Sequence, residues 1–238
     1  MLVYCANMEI RRTPHRWTLT PKQAVALQRR LAGEVELRPA PVPDRVVGLD
    51  CAFLEGRILG AAVVWDVIDG SVVETRVASA PLRFPYVPGL LSFREVPVLL
   101  TLLRRLVTPV QGILCDGQGI AHPRRLGLAS HLGLIAGLPA VGCAKSRLCG
   151  SHDAMPAKRG RAVPLVDHGE RIGSVLCTRD AAKPVYVSPG HLADHDSSVA
   201  WVLAMGAGYR LPEPTRLADR LVAAEKRRRS ERRSPTRR

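Results

Sequence analysis

Long apolar runs are missing from this chain. Nothing in its 238 residues approaches the ~18 uninterrupted apolar positions that a membrane-spanning helix needs. The first residues, MLVYCANMEIRR, also lack the order of a secretory leader, in which positive charge precedes a long apolar stretch and a small-residue cleavage site. A soluble, cytoplasmic protein with no membrane partner is expected. Paired cysteines are missing too: the six at positions 5, 51, 115, 143, 149 and 177 form no CxxC and no Cys/His ligand spacing, which argues against a structural zinc site. Reduced thiols packed in a core account for them. Aromatic residues make up only 4%, so each exposed ring needs a reason. Acid is scarce relative to base, 21 residues against 35, for a formal charge of +14. Eight basic residues and one acid between 226 and 238 supply half of that excess, which leaves the body basic as well. A basic body favours a polyanionic partner, nucleic acid above all, because each neutralised phosphate releases counterions.

What is present is 46% hydrophobic, ample for a core, with no internal repeat and no composition break that marks a domain boundary. Thr20, Pro21 and Gln23 form a capping signature before a helix carrying Ala24, Val25, Leu27 and Leu31. Residues 45–53, RVVGLDCAF, read as a buried strand that carries Asp50 near its end. Burying an unpaired carboxylate is costly, so Asp50 is either a salt-bridged or capping residue or part of a site. Ile58 to Val67 and Ser71 to Ala78 are β-rich runs joined through Asp69-Gly70, a hairpin signal. Tyr86 follows, held between Pro85 and Pro88. Its ring either packs under the proline turn or projects as a wedge of the kind that unstacks nucleotides.

Ser92 and Glu95 resemble a capping box, but Pro97 would then fall inside the helix and remove a hydrogen bond. The helix is therefore expected to begin near Val96 and Pro97, with Glu95 at its mouth, free to face a site. Val110 to Cys115 is a second strand ending on an acid, Asp116, and runs into a loop containing Gly117, Gln118 and Gly119. His122, Arg124 and Arg125 come next, then apolar positions at helical spacing from Leu126 to Ile135. Leu138 to Ala144 is a third strand ending in charge, at Lys145. Successive strand side chains face opposite ways, so if Asp50 and Asp116 face a site, Cys51 and Cys115 point into packing. Residues 150–161 read as a surface loop, 171–178 and 185–187 as strands, 197–207 as a helix, and 215–224 as a short helix before a solvated basic tail.

Asp50, Glu95 and Asp116 are oxygen donors suited to a hard divalent cation such as Mg²⁺. With Lys145, His122, Arg124 and a basic surface, they make a metal-dependent phosphodiesterase the coherent reading. The order of elements matches a single α/β domain of RNase H-like layout, with a mixed central sheet flanked by helices. Its expected divisions are an extension at 1–19, a catalytic domain at 20–225 and a disordered basic tail at 226–238.

Five ordered segments, FPYVPGLLSFRE, CDGQGIAHPRRLGLASHLG, VGCAKSRLCG, VYVSPGH and YRLPEPTRLAD, resemble the successive motifs of the endonuclease V family of deoxyinosine 3′ endonucleases. The resemblance covers roughly residues 20 to 225. It implies that Asp50 and Asp116 hold Mg²⁺, with Mn²⁺ as a substitute, and that Glu95 completes the acidic centre. Tyr86 matches the family's wedge. Pro88, Gly89, Leu91, Gly117 and Gly119 fall in loops resembling those that shape a hypoxanthine pocket. Lys145, His122 and Arg124 match residues on the phosphate side, and His191 is matched to a role in organising the metal site. The implied reaction is hydrolysis of the second phosphodiester bond 3′ to deoxyinosine by in-line attack of water, leaving a 3′-hydroxyl and a 5′-phosphate. The implied enzyme is a monomer acting on DNA. An inosine-directed ribonuclease is the alternative, and a non-cleaving inosine-binding module a more distant one. Two features depart from the family pattern. Asp219 stands where histidine is expected and is assigned no role, and the basic residues after 225 have no counterpart.

Overall fold

The β-rich first third folds as an antiparallel meander, β1 (Arg45–Leu54), β2 (Arg57–Asp66) and β3 (Ser71–Pro81), paired along its whole length. A computed structural model of the chain describes residue 10 and residues 13–154 and 157–233. The two-residue turn at Glu55 and Gly56 takes positive φ at both positions, the geometry that a tight hairpin requires. In the second turn, the Asp66 carboxylate accepts hydrogen bonds from the Ile68 and Asp69 amides, and Gly70 takes positive φ. Helix α2 (Ser92–Leu103) then leads to β4 (Gly112–Cys115), and α3 (Leu128–Ala136) to β5 (Ala140–Ala144). Strands β1, β4 and β5 lie parallel to one another. A second meander, β6 (Ala162–Asp167), β7 (Glu170–Leu176) and β8 (Val185–His191), extends the sheet through antiparallel pairing of β8 to β5. The result is one sheet of eight strands in the order β3-β2-β1-β4-β5-β8-β7-β6, the mixed sheet expected of an RNase H-like layout.

Helices cover both faces. On one, Val47, Leu49, Ile113 and Cys115 pack with Val96, Leu99 and Leu103 of α2 and with Ala129 and Leu132 of α3. On the other, Val46, Leu114, Val141 and Cys143 meet Trp201 and Val202 of α4 (His195–Ala204). Leu59, Ala61 and Val63 meet Ala218 and Val222 of α5 (Glu213–Arg233) on the same side. The first helix, α1 (Pro21–Ala32), carries the expected capping box at Thr20 and Gln23, and Ala24 packs beside Phe84, Leu90 and Phe93.

Four expectations are revised. Helix α2 begins at Ser92 rather than near Val96 and takes Pro97 inside it. Burial of Phe93, Val96, Val98 and Leu99 outweighs the one hydrogen bond that the proline cannot make. Residues 162–167, assigned to no element, form an edge strand. Residues 13–19 are more than an extension, because Trp17 packs against the α2–α3 core and against the Phe84–Phe93 cluster. The boundary at 225 falls inside α5, which runs unbroken to Arg233. Ion pairs from Glu225 to Arg228 and Arg229, three and four residues on, support the helix where a disordered tail was expected. Residues 234–238 of that tail, Cys5 and most of the first twelve residues lie outside the described residues.

Candidate active site

Strand periodicity decides which way the charged strand ends point. Along β1, Val47 and Leu49 face α2 and α3, so Asp50 faces α5. The same alternation turns Cys115 into the α2–α3 core and Asp116 toward α5, and it places Lys145 on that side of β5. Three parallel strands thus deliver two acids and a lysine to one end of the sheet. Both cysteines point into packing, as expected.

A third carboxylate arrives from α5. Ligand oxygens of Asp50, Asp116 and Asp219 all lie within 4.8 Å of one another. Lys145 Nζ lies 2.5 Å from Asp116 Oδ2 and 3.4 Å from Asp219 Oδ1. Burial and then the Asp116 charge push the Asp50 carboxyl up to about 7. Burial also raises Asp116, against the lowering effect of its hydrogen bond to Lys145. Glu95 is 6% exposed and stands behind the trio, pushed up to about 8 by burial and then by Asp50 and Asp116. Burial alone would lower the Lys145 ammonium, yet its bond to Asp116 and the Asp219 charge raise it on balance. Crowded carboxylates that hold protons against one another are what a divalent cation relieves, and three convergent oxygens suit Mg²⁺. The donor set therefore fits the implied metal, with Asp219 added to Asp50 and Asp116. The sequence marked Asp219 only as a departure from the family pattern and gave it no role, because its neighbours, Leu217, Ala218, Leu221 and Val222, show only an amphipathic helix.

A cleft of about 450 Å³ opens beside the acids. One wall is the loop bearing Tyr86, Pro88, Gly89 and Leu91 before Ser92; the other runs from Gly117 and Gln118 through His122 to Leu128, with Lys145 to Leu148 at the rim. Tyr86 is 74% exposed, and its ring lies 5.4 Å from the Arg94 guanidinium carbon, which also sits over Phe53 at 4.5 Å. The ring therefore projects rather than packs under the proline turn. The loop is fixed at a single atom: the Gly89 carbonyl accepts from Gln28 Nε2 at 2.9 Å, His122 Nε2 at 2.9 Å and Arg124 Nη2 at 2.7 Å. Arg124 Nε also donates to Gln28 Oε1 at 2.6 Å. Because the Arg124 amide donates to His122 Nδ1, the ring carries its hydrogen on Nε2. Burial lowers His122 to about 4 and keeps it neutral. His122 and Arg124 are thus committed to the cleft wall, not to the acidic centre. Gln28 and Arg94 join the site without having been singled out in the sequence, and Ser92, read there only as a capping residue, lines the cleft.

Two sequence candidates lie elsewhere. His191 ends β8, which runs antiparallel to β5, and it pairs with Ala140 at the far end of that strand. Lys145 lies five residues on, just past the near end, about 16 Å away at ~3.3 Å per residue. There His191 Nδ1 accepts from the Glu36 amide. Gly119 does not line the cleft; a Cβ on it would overlap the Pro189 carbonyl, so glycine serves the close approach of this loop to β8. Its amide donates to Ser188 Oγ at 2.7 Å.

Comparison with known proteins places this geometry in context. The endonuclease V family model matches residues 28–220. An endonuclease V of Myxococcus xanthus is 47% identical over 216 residues, covering 89% of this chain and 92% of that protein. The crystal structure of endonuclease V from Streptomyces avermitilis superposes with a TM-score of 0.86 at 43% identity, covering 93% of this chain and 99% of that one. The Ciona intestinalis endonuclease V was crystallised with a 24mer DNA containing an inosine followed by a ribo-adenosine. It shares the fold, with a TM-score of 0.75 at 22% identity over 87% of this chain and 98% of that one.

Proposed function

The chain belongs to the endonuclease V family of nucleases, and from that premise we propose that it hydrolyses the second phosphodiester bond 3′ to a deoxyinosine in DNA. The observation that carries this reading is the meeting of Asp50, Asp116 and Asp219 at the edge of a cleft large enough for a purine base. The Tyr86 loop and the Gly117–Gln118 loop are suited to hold a base taken out of the stack, and Tyr86 to fill the space it leaves. Asp50, Asp116 and Asp219 would hold Mg²⁺, with Mn²⁺ as a substitute, and Glu95 backs them with a fourth carboxylate. When bound there, such a cation would offer charge to the leaving oxygen and lower the pKa of water. Lys145, beside Asp116 and Asp219, puts a fixed positive charge where a phosphate must approach. Water adds to phosphorus, the 3′ oxygen leaves with a proton, and the products are a 3′-hydroxyl and a 5′-phosphate. One chain supplies the acids and both walls of the cleft, which suits a monomer, and the five unpaired thiols among the described residues suit a cytoplasmic location.

The test is incubation with end-labelled duplexes carrying one deoxyinosine or one inosine, with Mg²⁺ and with EDTA. A single cut one nucleotide beyond the deoxyinosine, abolished by EDTA, is expected. Cutting that persists in EDTA would overturn the metal assignment. Preference for the inosine strand would make the enzyme a ribonuclease.

A further inference from the structure

A chain of three hydrogen bonds runs from the cleft to the surface behind it. Ser92, the first residue of α2, lines the cleft and is 2% exposed. His131 of α3 lies behind it, fully buried, with its ring centroid 5.5 Å from Trp17 and 5.2 Å from Phe93. His131 Nδ1 is 3.0 Å from Ser92 Oγ, His131 Nε2 is 2.9 Å from His15 Nε2, and His15 Nδ1 is 3.0 Å from the Arg16 carbonyl oxygen.

Each link fixes the next. A carbonyl only accepts, so His15 carries its hydrogen on Nδ1. Burial lowers the His15 pKa, and burial together with His15 lowers His131 to about 3, so both rings are neutral and have one N–H each. His15 Nε2 is therefore a bare acceptor, and the facing His131 Nε2 must be the donor. That leaves His131 Nδ1 bare, and it takes the only hydroxyl hydrogen that Ser92 has. The Ser92 oxygen keeps its lone pairs and has no hydrogen left to offer the cleft.

Hypoxanthine in its lactam form carries a hydrogen on N1, whereas adenine carries a lone pair there. We propose that Ser92 is a specificity-determining residue that accepts a hydrogen bond from hypoxanthine N1–H, and that His131 and His15 are positioning residues that hold it in acceptor form. The inference rests on the reading of the cleft as the base pocket. An adenine in the same pose would set its N1 lone pair against the Ser92 oxygen, and a buried site built around one hydrogen bond rejects the analogue that cannot make it.

Two measurements test this. Nitrogen-15 spectra of the imidazoles, recorded at neutral pH on the whole protein, should show His131 as the Nε2–H tautomer; the Nδ1–H tautomer or a charged ring would overturn the proposal. In cleavage assays, Ser92→Ala should lower kcat/KM on deoxyinosine roughly three- to tenfold, while cutting at deoxyadenosine does not fall. His15→Ala frees the His131 tautomer, so it should shrink the deoxyinosine to deoxyadenosine ratio with Mn²⁺ affinity unchanged. If the wild type cuts deoxyinosine and neither variant changes that ratio, Ser92 is structural only. If the wild type does not cut deoxyinosine, the functional reading fails first, and the tautomer measurement still stands alone.

Discussion

At the scale of single residues, the acidic centre stores a pH dependence. Asp50 has its folded pKa raised from the ordinary carboxylate range to about 7. The stability it contributes is therefore fully present below about pH 4 and is lost as pH rises through about 7. Asp50→Asn cannot ionise, so in EDTA it should melt several degrees above the wild type at pH 8 and nearly level with it near pH 4, as read by thermal shift. An equal difference at both pH values would show that Asp50 is not under this pressure. The same variant should bind Mn²⁺ at least tenfold more weakly, because it loses a charged ligand. Tyr86 is a contrasting case. Its ring is largely exposed, so Tyr86→Ala should leave the melting temperature within about a degree yet reduce preference for deoxyinosine-containing over undamaged duplex about tenfold. Unchanged preference in a competition assay would reduce the ring to a surface residue. Asp50, Asp116 and Lys145 were legible in the sequence because each ends an apolar run, where charge has no structural reason to be. Asp219 was not, since an acid on an amphipathic helix is ordinary until the helix is placed. His191 was misassigned for a related reason: VYVSPGH shows a strand, but not that it runs opposite to β5.

At the scale of elements, the site depends on how closely α5 approaches β1. Gly48 allows that approach, since a Cβ there would run into the backbone of Pro214 at the start of α5. Gly48→Ala should therefore lift the helix that carries Asp219. The expected costs are about 1–3 kcal/mol in stability, measured by urea melts, and weaker Mn²⁺ binding although no ligand has changed. Normal metal affinity in that variant would separate Asp219 from the site. None of this is visible in the string, where Gly48 reads only as a small residue in a strand. Elements with a local signal were legible: α1 by its capping box and apolar stripe, the β2–β3 hairpin by its β-rich runs and Asp69-Gly70. Those shaped by tertiary contact were not. Helix α2 runs through Pro97 because its flanking residues are buried, and β6 is an edge strand whose six residues include only one buried, Leu165.

At the scale of the whole molecule, the charge is divided between a fold and an appendage. The body and the segment 226–238 each carry half of the formal +14. Helix α5 begins beside the acidic centre, carries Asp219 in its second turn, and continues toward the turn between β1 and β2, where Arg229 and Arg232 lie near Leu54 and Arg57. Lys226 is seven residues, two helical turns, beyond Asp219, so it lies on the same face about 10 Å further along. A duplex whose phosphate sits at the acids is therefore within reach of this helix. The basic residues are not equivalent, however. Arg228 and Arg229 are paired with Glu225, whereas Lys226 and Arg227 are exposed. If the segment contributes electrostatically, Lys226→Ala with Arg227→Ala should weaken binding to undamaged duplex. It should also flatten the dependence of log K on log salt by up to about 2, at ~0.9 per phosphate contact. Glu225→Gln frees Arg228 and Arg229 and should steepen the same plot. The turnover of bound deoxyinosine substrate should be unaffected in both variants, because neither touches the acids or the cleft. Parallel salt plots for wild type and both variants would show that the basic helix does not meet DNA, and that the basic body alone supplies the attraction.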